Sequence, residues 1–169
     1  MAARIAWCSE LYISVNVSTK QFAEPNFVEI VKDCLKSTGL DSRTLKLEIT
    51  ESAIVTDPNI ASATIDRLRA LGISISLDDF GTGYSSLSYL QNFKIDTLKI
   101  DRSFISRIGS SHDSEEIVRT IIALAHNLGI EVVAEGIEDD GQHDHLRMLG
   151  CESGQGYRYS RRTFSRGRR

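Results

Sequence analysis

Ile73-Ser74-Ile75-Ser76-Leu77-Asp78-Asp79 is the stretch that decides the fold. Apolar and polar residues alternate with period two, as in a strand that has one covered face. The run ends on two adjacent acids and passes into Phe80-Gly81-Thr82-Gly83-Tyr84-Ser85-Ser86, a glycine-bearing loop. The same alternation recurs on either side. Ile13-Ser14-Val15-Asn16-Val17-Ser18 and Leu45-Lys46-Leu47-Glu48-Ile49-Thr50 keep their apolar residues at odd positions. Thr97–Asp101 carries Lys99 in the polar phase, and in 132–137 Val133 and Glu135 share a phase. Central strands of an open parallel sheet are covered on both faces and read as nearly continuous apolar runs. Alternation instead favours a (β/α) barrel, in which one strand face meets a ring of helices and the other points inward.

Helical stretches separate these strands: 27–37, 58–71, 114–128 and 140–149. Gly39, Gly72, Gly129 and Gly150 follow their last turns, where a left-handed residue ends a helix. Asp57 before Pro58 forms a cap followed by a proline at the first helical position. Repeated β-α units in 169 residues predict one parallel α/β domain over 1–157. The remaining 158–169 hold six arginines and no acid, and read as a disordered basic tail. Without them the chain has 14 basic and 23 acidic residues, a net charge of −9. Such a body repels nucleic acid, leaving only the tail as a contact for it. No apolar run is long enough to span a membrane and no signal peptide opens the sequence. Three scattered cysteines (Cys8, Cys34, Cys151) suit a reduced, cytoplasmic protein, with Cys34 and Cys151 read as core thiols.

The prominent polar residues lie toward the C-terminal ends of their strands. A lone strand-end acid is usually a helix cap or a solvated end. Asn16, Glu48, Asp78, Lys99 and Glu135 share one phase and one end, and a barrel places its chemistry at that mouth. Asn, Glu and Asp supply oxygen ligands, which suit Mg2+ or Mn2+ better than zinc. Adjacent Asp78 and Asp79 repel each other unless a cation lies between them. Two such ions would clamp the oxygens of a phosphate ester, with Lys99 holding water or developing charge.

Six segments in order resemble one bacterial family. They are Val15-Asn16-Val17-Ser18, Glu48-Ile49-Thr50-Glu51, Asp78 through Ser86, Lys99-Ile100-Asp101, Ala134-Glu135-Gly136-Ile137-Glu138 and Gly154-Gln155-Gly156-Tyr157. Together they resemble the EAL domain, which hydrolyses cyclic di-GMP to linear pGpG with Mg2+ or Mn2+. The resemblance implies an incomplete (β/α)8 TIM-like barrel with about six βα units. It implies Asn16, Glu48 and Asp78 as metal ligands, with Asp79 on a second metal. Lys99 and Glu135 match the pair that positions and activates water. Glu51 matches an anchor for the loop after Asp79, Gln155 a residue of the substrate pocket, and Glu138 lies in a matching position.

The sequence also departs from the family. It contains no Glu-Ala-Leu tripeptide, whose glutamate is a metal ligand in the family. Two readings follow: a cyclic di-GMP phosphodiesterase with impaired or absent turnover, or a non-catalytic module that binds the dinucleotide or a partner. A barrel without its first strands exposes an edge at 13–18, so a homo-oligomer is expected. The alternative is that segments around Trp7 and Phe164 fold back over the gap.

Overall fold

The structure is a computed structural model that describes residues 12–81, 90–110 and 112–159. The chain divides into two compact units, 1–78 with 85–96 and 79–84 with 97–169. Each contributes three strands, so the expected α/β class and six strands are both present.

In the first unit β1 (Ile13–Val17), β2 (Leu45–Thr50) and β3 (Ser74–Phe80, its last two residues in the second unit) run parallel. Between them lie α1 (Thr19–Phe22), α2 (Phe27–Thr38), α3 (Glu51–Val55) and α4 (Pro58–Ala70). Local chemistry sets the boundaries. Ser18 and Gln21 form a reciprocal capping box on α1. Asp57 accepts from the Ile60 amide at 3.1 Å ahead of Pro58. Gly39 (φ 68°) takes the left-handed turn that ends α2. Leu47, Ile49, Ala61, Ile65, Leu68, Ile75 and Leu77 are almost wholly buried and form the core. Asp96 ties this unit together, accepting from the Ile75 amide at 2.8 Å and pairing with Arg69.

The second unit holds β4 (Thr97–Ile100), β5 (Glu131–Glu135) and β6 (Ser153–Gln155), parallel in that order. Its helices are α5 (Arg102–Ile105), α6 (His112–Asn127) and α7 (Asp140–Met148). Asp101 caps α5 through the Ser103 amide at 2.9 Å, and Asp139 caps α7 through the Gln142 amide at 2.8 Å. Leu98, Ile100, Ile105, Val118, Ala125, Val132 and Ala134 have no exposed surface.

Several details differ from the sequence reading. Ile13 and Val15, expected on a covered face, are 52% and 42% exposed. Among the described residues, β1 pairs with β2 alone, and of its apolar phase only Val17 is buried. The helices 19–22, 51–55 and 102–105 are too short to show a helical period, so no pattern announced them. Helix α6 begins at His112, two residues before the expected start. β5 stops at Glu135 because Gly136 (φ 75°) turns the chain away. Residues 160–169, Trp7, Phe164 and most of the loop after Asp79 lie outside the described residues. No helix among the described residues is long and apolar enough to cross a membrane.

Candidate functional site

The first unit brings its polar strand residues onto shared rungs. Asn16 stands opposite Glu48, and Glu48 opposite Ser76. Adjacent strands lie about 4.8 Å apart, so these side chains are neighbours on one face. Asp78 follows on the same face, two residues beyond Ser76 and opposite Thr50. Asn16 is exposed, while Glu48 and Asp78 are half-buried. The Ser76 hydroxyl is fully buried and finds no partner among the described residues. Glu51 opens α3 directly after β2, with its residue only 9% exposed. A carboxylate in the first turn is favoured by the helix dipole there.

Asp79 is exposed and has a φ of 56°. Left-handed backbone is uncommon for a residue with a side chain, although aspartate tolerates it better than most. The strain is held by anchored neighbours. Phe80 is buried, and a Cβ on Gly81 would lie 3.0 Å from the Phe104 ring. The chain therefore turns at Asp79 and presents its carboxylate outward. Sequence alternation alone places Asp79 on the apolar face, and only the backbone twist reverses that.

The second unit holds the tightest polar cluster. Lys99 Nζ lies 2.5 Å from Glu135 Oε1, with side chains 7% and 19% exposed. Lys99 is in register with Val133, two residues short of Glu135. Its long stem spans that rise along the strand. Gln155 stands opposite Glu135 and donates its side-chain amide to the same carboxylate at 2.5 Å. A little-exposed ion pair is retained only when geometry and further hydrogen bonds offset its desolvation. Glu135 has both partners.

Sequence reasoning missed Arg102, which pairs with Glu138 and stands over the Tyr157 ring at 6.0 Å. An arginine just after a capping aspartate reads as an ordinary first helical residue, so no signal marked it. Other groups drop out as reactive centres. Burial pushes the Cys151 thiol up to about 11, as expected of a core thiol rather than a nucleophile. His143 spends its Nδ1 on Asp144 at 3.0 Å, and His145 has a buried Nε2 without a partner among the described residues.

The chemistry of the donors fits a hard cation. Asn16, Glu48, Asp78 and Asp79 offer oxygen only. Among the described residues, no three His, Cys, Asp or Glu side chains close a metal cage by themselves.

Comparison with known proteins identifies the family. A family model described as "EAL domain" matches residues 3–162. The cyclic di-GMP phosphodiesterase NbdA of Pseudomonas aeruginosa is 43% identical over 157 residues, covering 93% of this chain and 20% of that protein. The chain thus spans about a fifth of the length of this curated relative. Among solved structures, the PaMucR phosphodiesterase in complex with c-di-GMP superposes with a TM-score of 0.86 at 42% identity, covering 89% of this chain and 61% of the other. Klebsiella pneumoniae BlrP1 with manganese and cy-diGMP gives a TM-score of 0.79 at 31% identity, covering 86% and 38%. With the family model spanning nearly its whole length and these relatives beside it, this chain belongs to the EAL domain family.

Proposed function

We propose that the chain is a metal-dependent site for cyclic di-GMP, of the type that hydrolyses one phosphodiester to linear pGpG. The observation that carries the reading is the Glu135 carboxylate held between Lys99 and Gln155 at 2.5 Å each. Asn16, Glu48, Asp78 and Asp79 would hold Mg2+ or Mn2+. Such an ion keeps several waters and takes phosphate oxygens as further ligands. When bound, the metal supplies Lewis-acid charge and a more acidic water.

The protein's own groups do the rest. Glu135 accepts a proton from the attacking water, and Lys99 orients that carboxylate and offsets charge developing on phosphate. Gln155 fixes the carboxylate from the other side and can lend a hydrogen bond to the substrate. Glu51, at the head of α3, anchors the loop that follows Asp79. The reading requires the two sets of residues to act on one ligand. Its support is the family membership and the phosphodiesterase relatives.

A second reading, dinucleotide binding with little turnover, is favoured by the exposure of Asn16. Losing one ligand or misplacing water costs orders of magnitude in rate. The test incubates the purified chain with Mn2+ and cyclic di-GMP and follows linear product by chromatography. Hydrolysis abolished by Glu135→Gln and by Asp78→Asn supports the first reading. Calorimetric binding without product selects the second, and turnover that survives Glu135→Gln overturns the assigned role of that residue. In the same reading, β1, which pairs with β2 alone among the described residues and exposes Ile13 and Val15, meets a second copy of the chain. Light scattering checks it: a monomer at micromolar concentration counts against the pairing.

A further inference from the structure

Gly136 directly follows Glu135 and has a φ of 75°. A Cβ there would lie 2.7 and 2.8 Å from Cβ and Cδ of Arg102, and closer still to its Cγ. The aliphatic stem of Arg102 therefore rests on the bare Cα of the residue after Glu135. Beyond Gly136 the guanidinium pairs with Glu138. Arg102 is also the third residue after Lys99, at the head of α5, where Asp101 caps the helix. One side chain thus ties the end of the Lys99 strand to the end of the Glu135 strand.

The other side of the same turn is fixed as well. The Ile137 amide donates to the Gln155 carbonyl at 3.1 Å, and the Arg158 amide donates to the Ile137 carbonyl at 3.1 Å. A Cβ on Gly156 would lie 2.7 Å from the Ile137 carbonyl carbon and closer to its oxygen and nitrogen. The turn 136–138 is held between the 154–158 backbone and Arg102. The Gln142 side chain also accepts from the Glu138 amide at 2.8 Å, whereas the three atoms nearest to a Cβ on Gly136 all belong to Arg102.

We infer that Arg102 is a positioning residue for Glu135: its stem on Gly136 and its bridge to Glu138 set the carboxylate where Lys99 and Gln155 meet it. The inference rests on the proposed role of Glu135 and names a residue that acts through it. An exposed ion pair contributes little by itself, so the stem contact carries most of the effect. Methylene packing on a glycine Cα leaves the turn little room to rotate, and rotation there would swing Glu135 off Lys99.

The experiment reads the Lys99 ammonium directly. In the full chain labelled with 15N-lysine, a buried, ion-paired ammonium exchanges slowly and gives its own proton–nitrogen resonance, assigned by its loss in Lys99→Met. Arg102→Ala is expected to broaden that resonance beyond detection, while Arg102→Lys, which keeps the stem and the charge, retains it. Glu138→Gln keeps the stem and is expected to shift the signal without losing it. Should Arg102→Ala fail to fold, Arg102→Ser and Glu138→Gln, read in the same way, decide. A Lys99 signal unmoved in every Arg102 variant, or absent from the parent, overturns the inference. A merely structural Arg102 would lower the melting temperature and leave the ammonium where it is. Calorimetry with cyclic di-GMP on the same samples keeps the two claims apart: if the parent fails to bind, the functional reading falls while the ammonium comparison stands.

Discussion

β1 and β5 carry the same alternation and meet opposite fates. In β5 the apolar phase, Val132 and Ala134, has no exposed surface, and the strand pairs with β4 on one side and β6 on the other. In β1 Ile13 and Val15 are half open to solvent while Val17 is buried, and among the described residues the strand pairs with β2 alone. Their polar phases differ in step. Asn16 is exposed, whereas Glu135 is held by Lys99 and Gln155. Period two states which side chains share a face. Whether that face is covered depends on neighbours that the strand's own residues do not encode.

The sharpest way to break this contrast is to remove charge from each strand. Lys99→Met leaves Glu135 in a little-exposed place without its cation, and stability should fall by about 3 kcal/mol, toward the lower end for a buried pair because Glu135 keeps some solvent. Adding Glu135→Gln should restore most of that loss, since the cost is the uncompensated charge. Asn16→Ala on β1 should change stability by less than about 0.5 kcal/mol. Urea denaturation of the four proteins measures all of this. Equal losses in Lys99→Met and Asn16→Ala would show that the two strand ends are alike after all.

Thiol chemistry tests the same contrast without touching the strands. Cys151 lies beside β5, its Sγ donating to the Ser153 carbonyl at 3.2 Å, and burial lifts its pKa from 9.0 to about 11. At pH 8 that leaves about a hundredfold less thiolate than the ordinary value would give. Cys34, expected in the core, is instead exposed on α2 in the first unit, because the buried residues of that helix, Phe27, Val28 and Val31, all lie in its first half and Cys34 lies beyond them. Peptide mapping after brief iodoacetamide treatment should find exposed Cys34 labelled and Cys151 far slower. The Cys151 rate should rise about tenfold per pH unit up to about 11. Comparable rates at the two sites would mean that the β5 region opens far more readily than its packing implies.

The apolar phases themselves give the next contrast. Val132→Ala removes buried methyl groups and leaves a void, a loss of about 2 kcal/mol. Val15→Ala removes the same groups from a half-exposed position and should cost less than about 0.5 kcal/mol in dilute monomer. If the Val15 variant loses more as protein concentration rises, a second chain covers β1. Denaturation midpoints at two concentrations separate these outcomes.

Much of this architecture was legible because it rests on local chemistry. The alternation in 45–50 and 73–78, the Asp57-Pro58 cap and the left-handed Gly39 specify elements without reference to distant residues. The polar phase likewise put Lys99 and Glu135 on one face, and register and stem length then brought them to 2.5 Å. What stayed hidden depends on contacts from elsewhere in the chain. Asp79 sits on the apolar phase and turns outward only because Phe80 and Gly81 are anchored against other residues. Arg102 matters through Gly136, thirty-four positions away, and no periodicity links the two. Four-residue helices such as α5 hold less than two turns of pattern.

The smallest expected effect compares two aspartate caps whose carboxyls the fold holds low, Asp41 and Asp101. Asp41 begins a single 3-10 turn in the first unit, and Arg43 holds its carboxyl down to about 2 through side-chain and backbone hydrogen bonds. Burial works to raise Asp101 at the head of α5, but hydrogen bonds from Ser103 and the Arg102 amide outweigh it and hold the carboxyl below its usual range. In both, the fold favours the ionised form. The stability each contributes is complete above the ordinary carboxylate value of about 3.9 and is lost as pH falls through the lowered one. For Asp41 that window runs from about 4 to about 2. Asparagine caps a helix nearly as well but carries no charge, so each Asp→Asn change should lower stability slightly near pH 7 by losing the charge-assisted part of its hydrogen bonds. Below pH 4 the parent should lose that advantage and converge on the variants. Asp41 is fully exposed, and solvent and salt screen its bond to Arg43 despite the larger shift. Asp101 caps the helix that bears Arg102, so melting between pH 6 and pH 3 should flatten more in Asp101→Asn than in Asp41→Asn. The reverse order would mean that the exposed turn before β2, rather than the packed end of β4, limits the acid stability of this chain.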